Sequence, residues 1–269
     1  MADLKIGVVG AAGRMGAAVI RQAMQAKGCT VAAAVDAAGN PAIGRDAGEM
    51  AGIGRIDIAI APESKALFDR CDAVIEFSAP AATIAHAKQA AAAKRIHVIG
   101  TTGIDRKGEA ALKACAKKTT IVYAPNMSLA VNVLFALTRR VAALLDDEFD
   151  IEVVEMHHRH KVDAPSGTAL GLGRAAAAGR KVTLDRAGVF TRHGITGARK
   201  RGQIGFATLR GGDVVGDHTV IFAADGERLE LSHKAGSRQI FARGAVHAAL
   251  WAKGRKPGLY SMADVLGLD

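Results

Sequence analysis

The sequence predicts an α/β chain in two parts: a doubly wound parallel sheet, and a smaller α+β domain with a mixed or antiparallel sheet. Short apolar runs alternate with single helical patterns through the first half, which implies parallel strands joined by crossover helices. Past Phe149 strand-like segments follow one another directly, the mark of a second domain. A last helical stretch reads as a return to the first part.

Residues 4–10 (LKIGVVG) form a short apolar run of strand character, and residues 13–28 carry Met15, Val19, Ile20, Ala23 and Met24 at helical spacing. Residues 30–36 (TVAAAVD) make a second strand. Residues 72–77, 95–100 and 120–125 are further strands, and 80–94, opened by Pro80, and 105–118 are the helices among them. Residues 126–145 predict a long helix, and 149–158 alternate apolar and polar like a half-buried strand. A helix should start near Ser166. Residues 202–212, 214–226 and 227–235 read as three consecutive strands joined by Gly-rich turns, a meander. Residues 238–254 are helical again.

A chain of 269 residues, 49% hydrophobic and 23% charged, is long enough for one large or two smaller domains with a substantial core. Aromatics are only 4%, so small aliphatics must fill that core, favouring close helix–sheet packing. Cys29, Cys71 and Cys115 are scattered and odd in number, which points to reduced thiols in the cytoplasm and not to a disulfide framework. No apolar run is long enough to span a bilayer, so no membrane partner is expected. The net charge of +10 calls for anionic partners. Residues 192–203 (RHGITGARKRGQ) are the one basic loop, and they lack aromatics for base stacking, so small anions are expected and nucleic acid is not.

Gly10, Gly13 and Gly16 fall between the first strand and the first helix in a G-x-x-G-x-x-G arrangement. Glycine there lets backbone N–H groups approach a pyrophosphate, and the helix N-terminus adds partial positive charge. Asp36 lies at the end of the second strand, where an acid accepts hydrogen bonds from the adenosine ribose. This is a Rossmann-like cofactor site, the alternatives being tight packing for the glycines and a solvated acid for Asp36. Gly100–Gly103 (GTTG) and Ala124–Ser128 (APNMS) follow later strands, where such sheets bind ligands. Thr101, Thr102 and Asn126 offer hydroxyls and an amide to a nicotinamide or its ribose, or serve as ordinary turn residues. Phe77 suits either the cofactor's edge or the core.

The stretch EMHHRHKVDAPSGTALGLG, residues 155–173, crowds His157, His158, Arg159, His160 and Lys161 together. Like charges repel, so such a cluster suits a multiply anionic substrate with proton donors beside it. Ser166, Gly167 and Thr168 begin a helix; they suit both a cap and a carboxylate cradle. Glu155 can orient an imidazole. No metal is expected, because adjacent strand residues such as His157 and His158 point to opposite faces and no other ligands complete a shell.

The pattern E-x-H-H-x-x-K-x-D-A-P-S-G-T-A (Glu155–Ala169), preceded by G-x-x-G-R-M-G at Gly10–Gly16, resembles the 4-hydroxy-tetrahydrodipicolinate (dihydrodipicolinate) reductase family. The likeness extends over nearly the whole chain and includes GTTG, the N-M-S turn, residues 201–220 and residues 237–245. It implies an NAD(P)H-dependent reductase of the diaminopimelate route to lysine. The reaction converts 4-hydroxy-tetrahydrodipicolinate, a cyclic imine with two carboxylates, to tetrahydrodipicolinate with loss of water. By motif, His157 would be the proton donor and acceptor and Lys161 a proton donor. His158 would bind the dicarboxylate, with Ser166, Gly167 and Thr168 gripping a carboxylate. Gly10, Ala11, Ala12, Gly13, Arg14, Met15, Asp36, Gly100, Thr101, Thr102, Ala124, Pro125, Asn126 and Met127 would hold the dinucleotide. The implied domains are 1–128 with 239–269 for the cofactor and 129–238 for substrate binding and oligomerisation, with a homotetramer built through the second sheet.

One position departs from the pattern. Family members that use NADPH well often carry arginine after the ribose-binding acid, and this chain has Ala37 there. NADH, or dual use of NADH and NADPH leaning toward NADH, is therefore expected, with Arg14 compensating in part. Two competing readings are another imine reductase of a small dicarboxylate, which a direct substrate assay separates, and a non-catalytic NAD sensor, which requires a dispensable basic cluster.

Overall fold

The computed structural model describes residues 2–268 and divides into two compact units. One runs up to Leu129 and resumes over Arg238–Gly267; the other is Ala130–Ser237.

The first unit contains β1 (Leu4–Val9), α1 (Arg14–Gln25), β2 (Cys29–Val35), α2 (Ala47–Ala51), β3 (Ile60–Ala61), α3 (Lys65–Arg70), β4 (Ala73–Glu76), α4 (Pro80–Ala93), β5 (Ile96–Ile99), α5 (Arg106–Cys115) and β6 (Thr120–Tyr123). The second contains α6 (Leu129–Leu144, which starts at the boundary), β7 (Asp150–His157), α7 (Gly167–Gly179), α8 (Leu184–Ala187), β8 (Gly188–Val189), β9 (Ile204–Arg210), β10 (Gly216–Ala224) and β11 (Glu227–Ala235). The chain then returns to the first with α9 (Gln239–Ala252), β12 (Gly258–Tyr260) and α10 (Met262–Leu266).

In the first unit every strand pair is parallel, in the order β12-β6-β5-β4-β1-β2-β3. The chain moves outward from β1 to β3 and then crosses back to β4 on the other side of β1. Ligands bind such sheets at the carboxyl ends of the strands beside this reversal. Alternation along the strands separates two cores. Ile6, Val8, Ile75, Val98 and Val122 pack toward α1 and α9, while Val9 and Val74, with Ile99 and Ile121 beside them, point to the opposite face. Small residues allow close approach: α1 buries Gly16, Ala18, Val19, Ile20 and Ala23, and α9 buries a run of alanines with Gly244. A Cβ on Gly244 would stand 1.7 Å from the Met127 carbonyl oxygen, so that contact needs glycine.

In the second unit the strand order is β11-β10-β7-β9-β8. β10 pairs antiparallel with β11 and β7, whereas β9 lies on the other side of β7 and runs parallel to it. The expected three-strand meander is therefore corrected to a hairpin, β10–β11, with β9 separated from it. Strand sequence alone cannot distinguish these arrangements; the alternation of β7, buried at Ile151, Val153, Glu155 and His157, places this strand at the centre with α7 over its buried side. The short elements α2, β3 and α3, in residues 37–71, had no reading in the sequence because they lack a sustained period.

Candidate active site

The glycine loop folds as a cradle. Gly10 adopts φ +72°, the left-handed region that favours glycine, and its carbonyl accepts the Gly13 N–H at 3.0 Å. A Cβ on Gly16 would lie 2.1 Å from the Gly10 carbonyl oxygen, so α1 can pack on the loop only with glycine there. Gly13 occupies the N-cap of α1 and no side chain caps the helix, which leaves its first N–H groups to an anion. The Asp36 carboxylate accepts from Ala12 N–H at 2.8 Å, Ala37 N–H at 2.8 Å and the Asn40 amide at 3.1 Å. It is thus fixed at the loop's edge. Ala11 is buried, Ala12 and Met15 pack partly into the core, and Arg14 is exposed at the first turn of α1. An uncapped helix start, a bare cradle and a fixed acid fit a dinucleotide.

Across β1 from Asp36, the ends of β5 and β6 carry the remaining expected residues. The Phe77 ring lies directly on Gly100, where a Cβ would come within 2.1 Å of it. The Thr101 hydroxyl accepts from Thr83 at 2.8 Å and from the Ser78 N–H at 3.1 Å, and Thr102 is exposed beside it. Asn126 Oδ1 accepts the Ser128 N–H at 2.9 Å, Ala124 and Met127 are buried, and Pro125 is exposed.

In the second unit, β7 ends at His157, and Glu155, two residues earlier, shares its side of the sheet. His157 Nδ1 hydrogen-bonds Glu155 Oε2. Arg210, opposite His157 on β9, holds both Glu155 oxygens at 2.8 and 2.9 Å, and the Ser166 N–H donates to the same carboxylate at 3.0 Å. Burial alone would raise the Glu155 carboxyl, but the hydrogen bonds from Arg210, His157 and Ser166 outweigh it and hold it below the usual range. This fixed anion leaves His157 Nε2 as the ring atom that can exchange a proton with a ligand.

Ser166 is the N-cap of α7, its hydroxyl accepting from the Ala169 N–H at 3.1 Å and facing His218 Nε2 at 3.0 Å. Its N–H and hydroxyl are both engaged, which fixes the turn that leads into Gly167 and Thr168. His218 lies 5.1 Å from the His157 ring, edge to face, and burial, then the neighbouring His157 charge, push it down to about 4. Lys161 pairs with Asp163 at 2.7 Å, and Asp163 lies below its usual value: burial opposes this, but Lys161 overcomes it. The His158 N–H donates to the Val214 carbonyl, which anchors the loop that carries Lys161. The Ala164–Pro165 bond is cis.

Three residues here escaped the sequence reading: Arg210, His218 and Gly216. A Cβ on Gly216 would come 2.9 Å from His157 Nε2, so this glycine gives the imidazole its room. They lie 53 to 61 positions from His157 in sequence, and only strand pairing brings them to it. The basic loop 192–203 is mostly exposed, but two of its arginines are paired: Arg192 grips Glu152 through two hydrogen bonds at 2.8 and 2.9 Å, and Arg199 binds Glu152 and Asp150 at 3.1 and 2.6 Å. Among the described residues no group of three His, Cys, Asp or Glu side chains is arranged to hold a metal, and no helix is long and apolar enough to cross a membrane.

Comparison with known proteins agrees over the full chain. Residues 4–127 match the family model for "Dihydrodipicolinate reductase, N-terminus", and residues 130–266 match that for its C-terminus. 4-hydroxy-tetrahydrodipicolinate reductase 1 of Mesorhizobium japonicum is 56% identical over 268 residues, covering 99% of this chain and 98% of that protein. The 4-hydroxy-tetrahydrodipicolinate reductase of Agrobacterium fabrum is 56% identical over 267 residues, covering 99% and 97%. Among solved structures, a dipicolinate-bound dihydrodipicolinate reductase from Paenisporosarcina sp. TG-14 shares the fold at TM-score 0.74 and 19% identity, covering 97% of this chain and 98% of that one. An amine dehydrogenase from Mycobacterium smegmatis shares it at TM-score 0.61 and 14% identity, covering 97% and 95%. With both halves matched in order and the identity sustained end to end, the chain belongs to the dihydrodipicolinate reductase family.

Proposed function

We propose that the chain reduces 4-hydroxy-tetrahydrodipicolinate to tetrahydrodipicolinate with NAD(P)H, in the diaminopimelate route to lysine. The observation that carries the mechanism is the buried Glu155 carboxylate, fixed by Arg210, hydrogen-bonded to His157 Nδ1. The dinucleotide supplies the hydride when bound, and the glycine loop, Asp36 and the turns at Gly100–Thr102 and Ala124–Met127 hold it. Glu155 stabilises a protonated His157, whose Nε2 gives its proton to the ring as the hydride arrives. Lys161 is a second donor and assists departure of the hydroxyl as water. His158 and the turn Ser166-Gly167-Thr168 bind the substrate carboxylates, with helix α7 contributing its N-terminal charge. His218 is neutral near pH 7, so it adds no competing charge beside His157.

NADH is the preferred donor, supported by Ala37, which supplies no cation for a 2′-phosphate, and by Asp36, whose carboxylate would repel one. A homotetramer is supported by the outer face of the second sheet, where Ala207 and Leu209 are exposed beside Val154, Met156 and Ile221. Three free cysteines, Cys29, Cys71 and Cys115, support a reducing cytoplasmic setting.

The test is NADH oxidation followed by absorbance, with substrate generated in place by a condensing enzyme from pyruvate and aspartate semialdehyde. His157→Gln and Lys161→Ala should each lower kcat by about 10²-fold or more while leaving NADH affinity within about twofold. No turnover by the intact chain, or equal loss of kcat and NADH binding in both variants, would refute the assignment.

A further inference from the structure

Beneath the cofactor-side turns lies a buried cluster that the mechanism above does not use. Glu76, the last residue of β4, is fully buried in the first unit, as is His97 of β5. His86 of α4 donates from Nδ1 to Glu76 Oε1 at 2.8 Å, and His97 from Nε2 to Oε2 at 2.8 Å. The Ser78 hydroxyl donates to Oε1 as well. Burial alone would raise this carboxyl; the two histidines reverse the sign and hold it well below the usual carboxylate range.

The cluster continues to the turn. Ser78 donates its N–H to Thr101 Oγ1 at 3.1 Å, and Thr83 donates its hydroxyl to the same oxygen at 2.8 Å. A threonine hydroxyl has two lone pairs and one proton. Both lone pairs are occupied, and the proton has no acceptor among the described residues. Next to it, Phe77 is pressed on Gly100. The end of β4 and the start of the β5 turn are thereby held as one piece, on the side of β1 away from Asp36, where the second half of an extended dinucleotide falls.

We propose that Glu76, braced by His86 and His97, is a positioning residue for the nicotinamide end of the cofactor: through Ser78 it orients Thr101, whose spare proton is donated to the carboxamide. The proposal rests on the cofactor reading above. Glu76 itself touches no ligand. A carboxylate suits this place better than an amide, because three donors converge on it and an amide would turn a donor of its own toward one of them.

The test compares NADH with ADP-ribose, which keeps the adenosine and both phosphates but lacks nicotinamide. Dissociation constants are measured by calorimetry or protein fluorescence on the full chain. Glu76→Gln should weaken NADH about tenfold, the loss of one well-made hydrogen bond, while ADP-ribose stays within about twofold. Thr101→Val should match it and Thr101→Ser should restore NADH affinity. Equal weakening of both ligands by Glu76→Gln would make the cluster merely structural and overturn the proposal, as would unchanged NADH binding in Thr101→Val. Asp36→Ala separates the underlying reading: if it leaves ADP-ribose affinity unchanged, the cofactor site itself is misplaced and the proposal falls with it.

Discussion

Gly216→Ala should slow turnover about tenfold while leaving the fold and the cofactor site intact. Gly216 opens β10 without a positive φ, so alanine is permitted by the backbone and only the added methyl matters. That methyl would sit 2.9 Å from His157 Nε2 and 3.3 Å from Cδ2, against an ordinary contact of 3.4 Å or more. The ring must yield by about half an ångström. It cannot do so freely, since Nδ1 is bound to Glu155, which Arg210 holds through two hydrogen bonds and Ser166 through a third. A catalytic group must be held to about 0.5 Å, and a misplacement of about 1 Å costs on the order of 10²-fold, so kcat should fall about tenfold. The assay is steady-state NADH oxidation with substrate made in place, beside NADH titration and thermal melting. A folded Gly216→Ala protein with wild-type kcat would refute the placement of the proton at His157 Nε2.

Three further outcomes follow from the same geometry. Glu155→Gln should lower kcat by about 10²-fold, because a neutral amide stabilises no imidazolium and leaves the Arg210 charge uncompensated; a folded Glu155→Gln protein with wild-type kcat would exclude the pair. His218 is depressed from 6.5 to about 4, so the unfolded chain takes up its proton first as the pH falls. Its contribution to stability is therefore complete above pH 6.5 and lost on the way down to about pH 4, a change of about 3 kcal/mol; urea midpoints at pH 7 and pH 4.5 should converge in His218→Gln relative to the native chain. Ala37→Arg should raise kcat/KM for NADPH about tenfold with little change for NADH, since it restores a cation beside a 2′-phosphate; failure to shift the ratio would remove the explanation based on Ala37.

The parallel sheet was legible because each of its long elements carries a complete local signal: apolar strand runs, helices at regular spacing, and glycines at the loop between β1 and α1. The place of Asp36 beside the glycine loop was legible because it depends on a fixed count along the chain, just past β2. In the same way Glu155, His157 and Lys161 form a pattern within seven positions of one another. Residues 37–71 had no such signal, for their elements span only two to six residues each.

What the sequence determined alone is therefore local chemistry: a bare glycine cradle, a cluster of proton carriers, and the strand and helix periods that deliver them. Tertiary structure decided which strands become neighbours. β9 could have paired with β10 by the shortest connection, yet it lies against β7, and this choice brings Arg210 to Glu155. β10 on the other side of β7 brings Gly216 and His218 to His157. In the first unit, the pairing of β4 with β5 joins Glu76 to His97 across 21 positions. Strand pairing is set by burial summed over a whole sheet, which no short stretch of sequence contains.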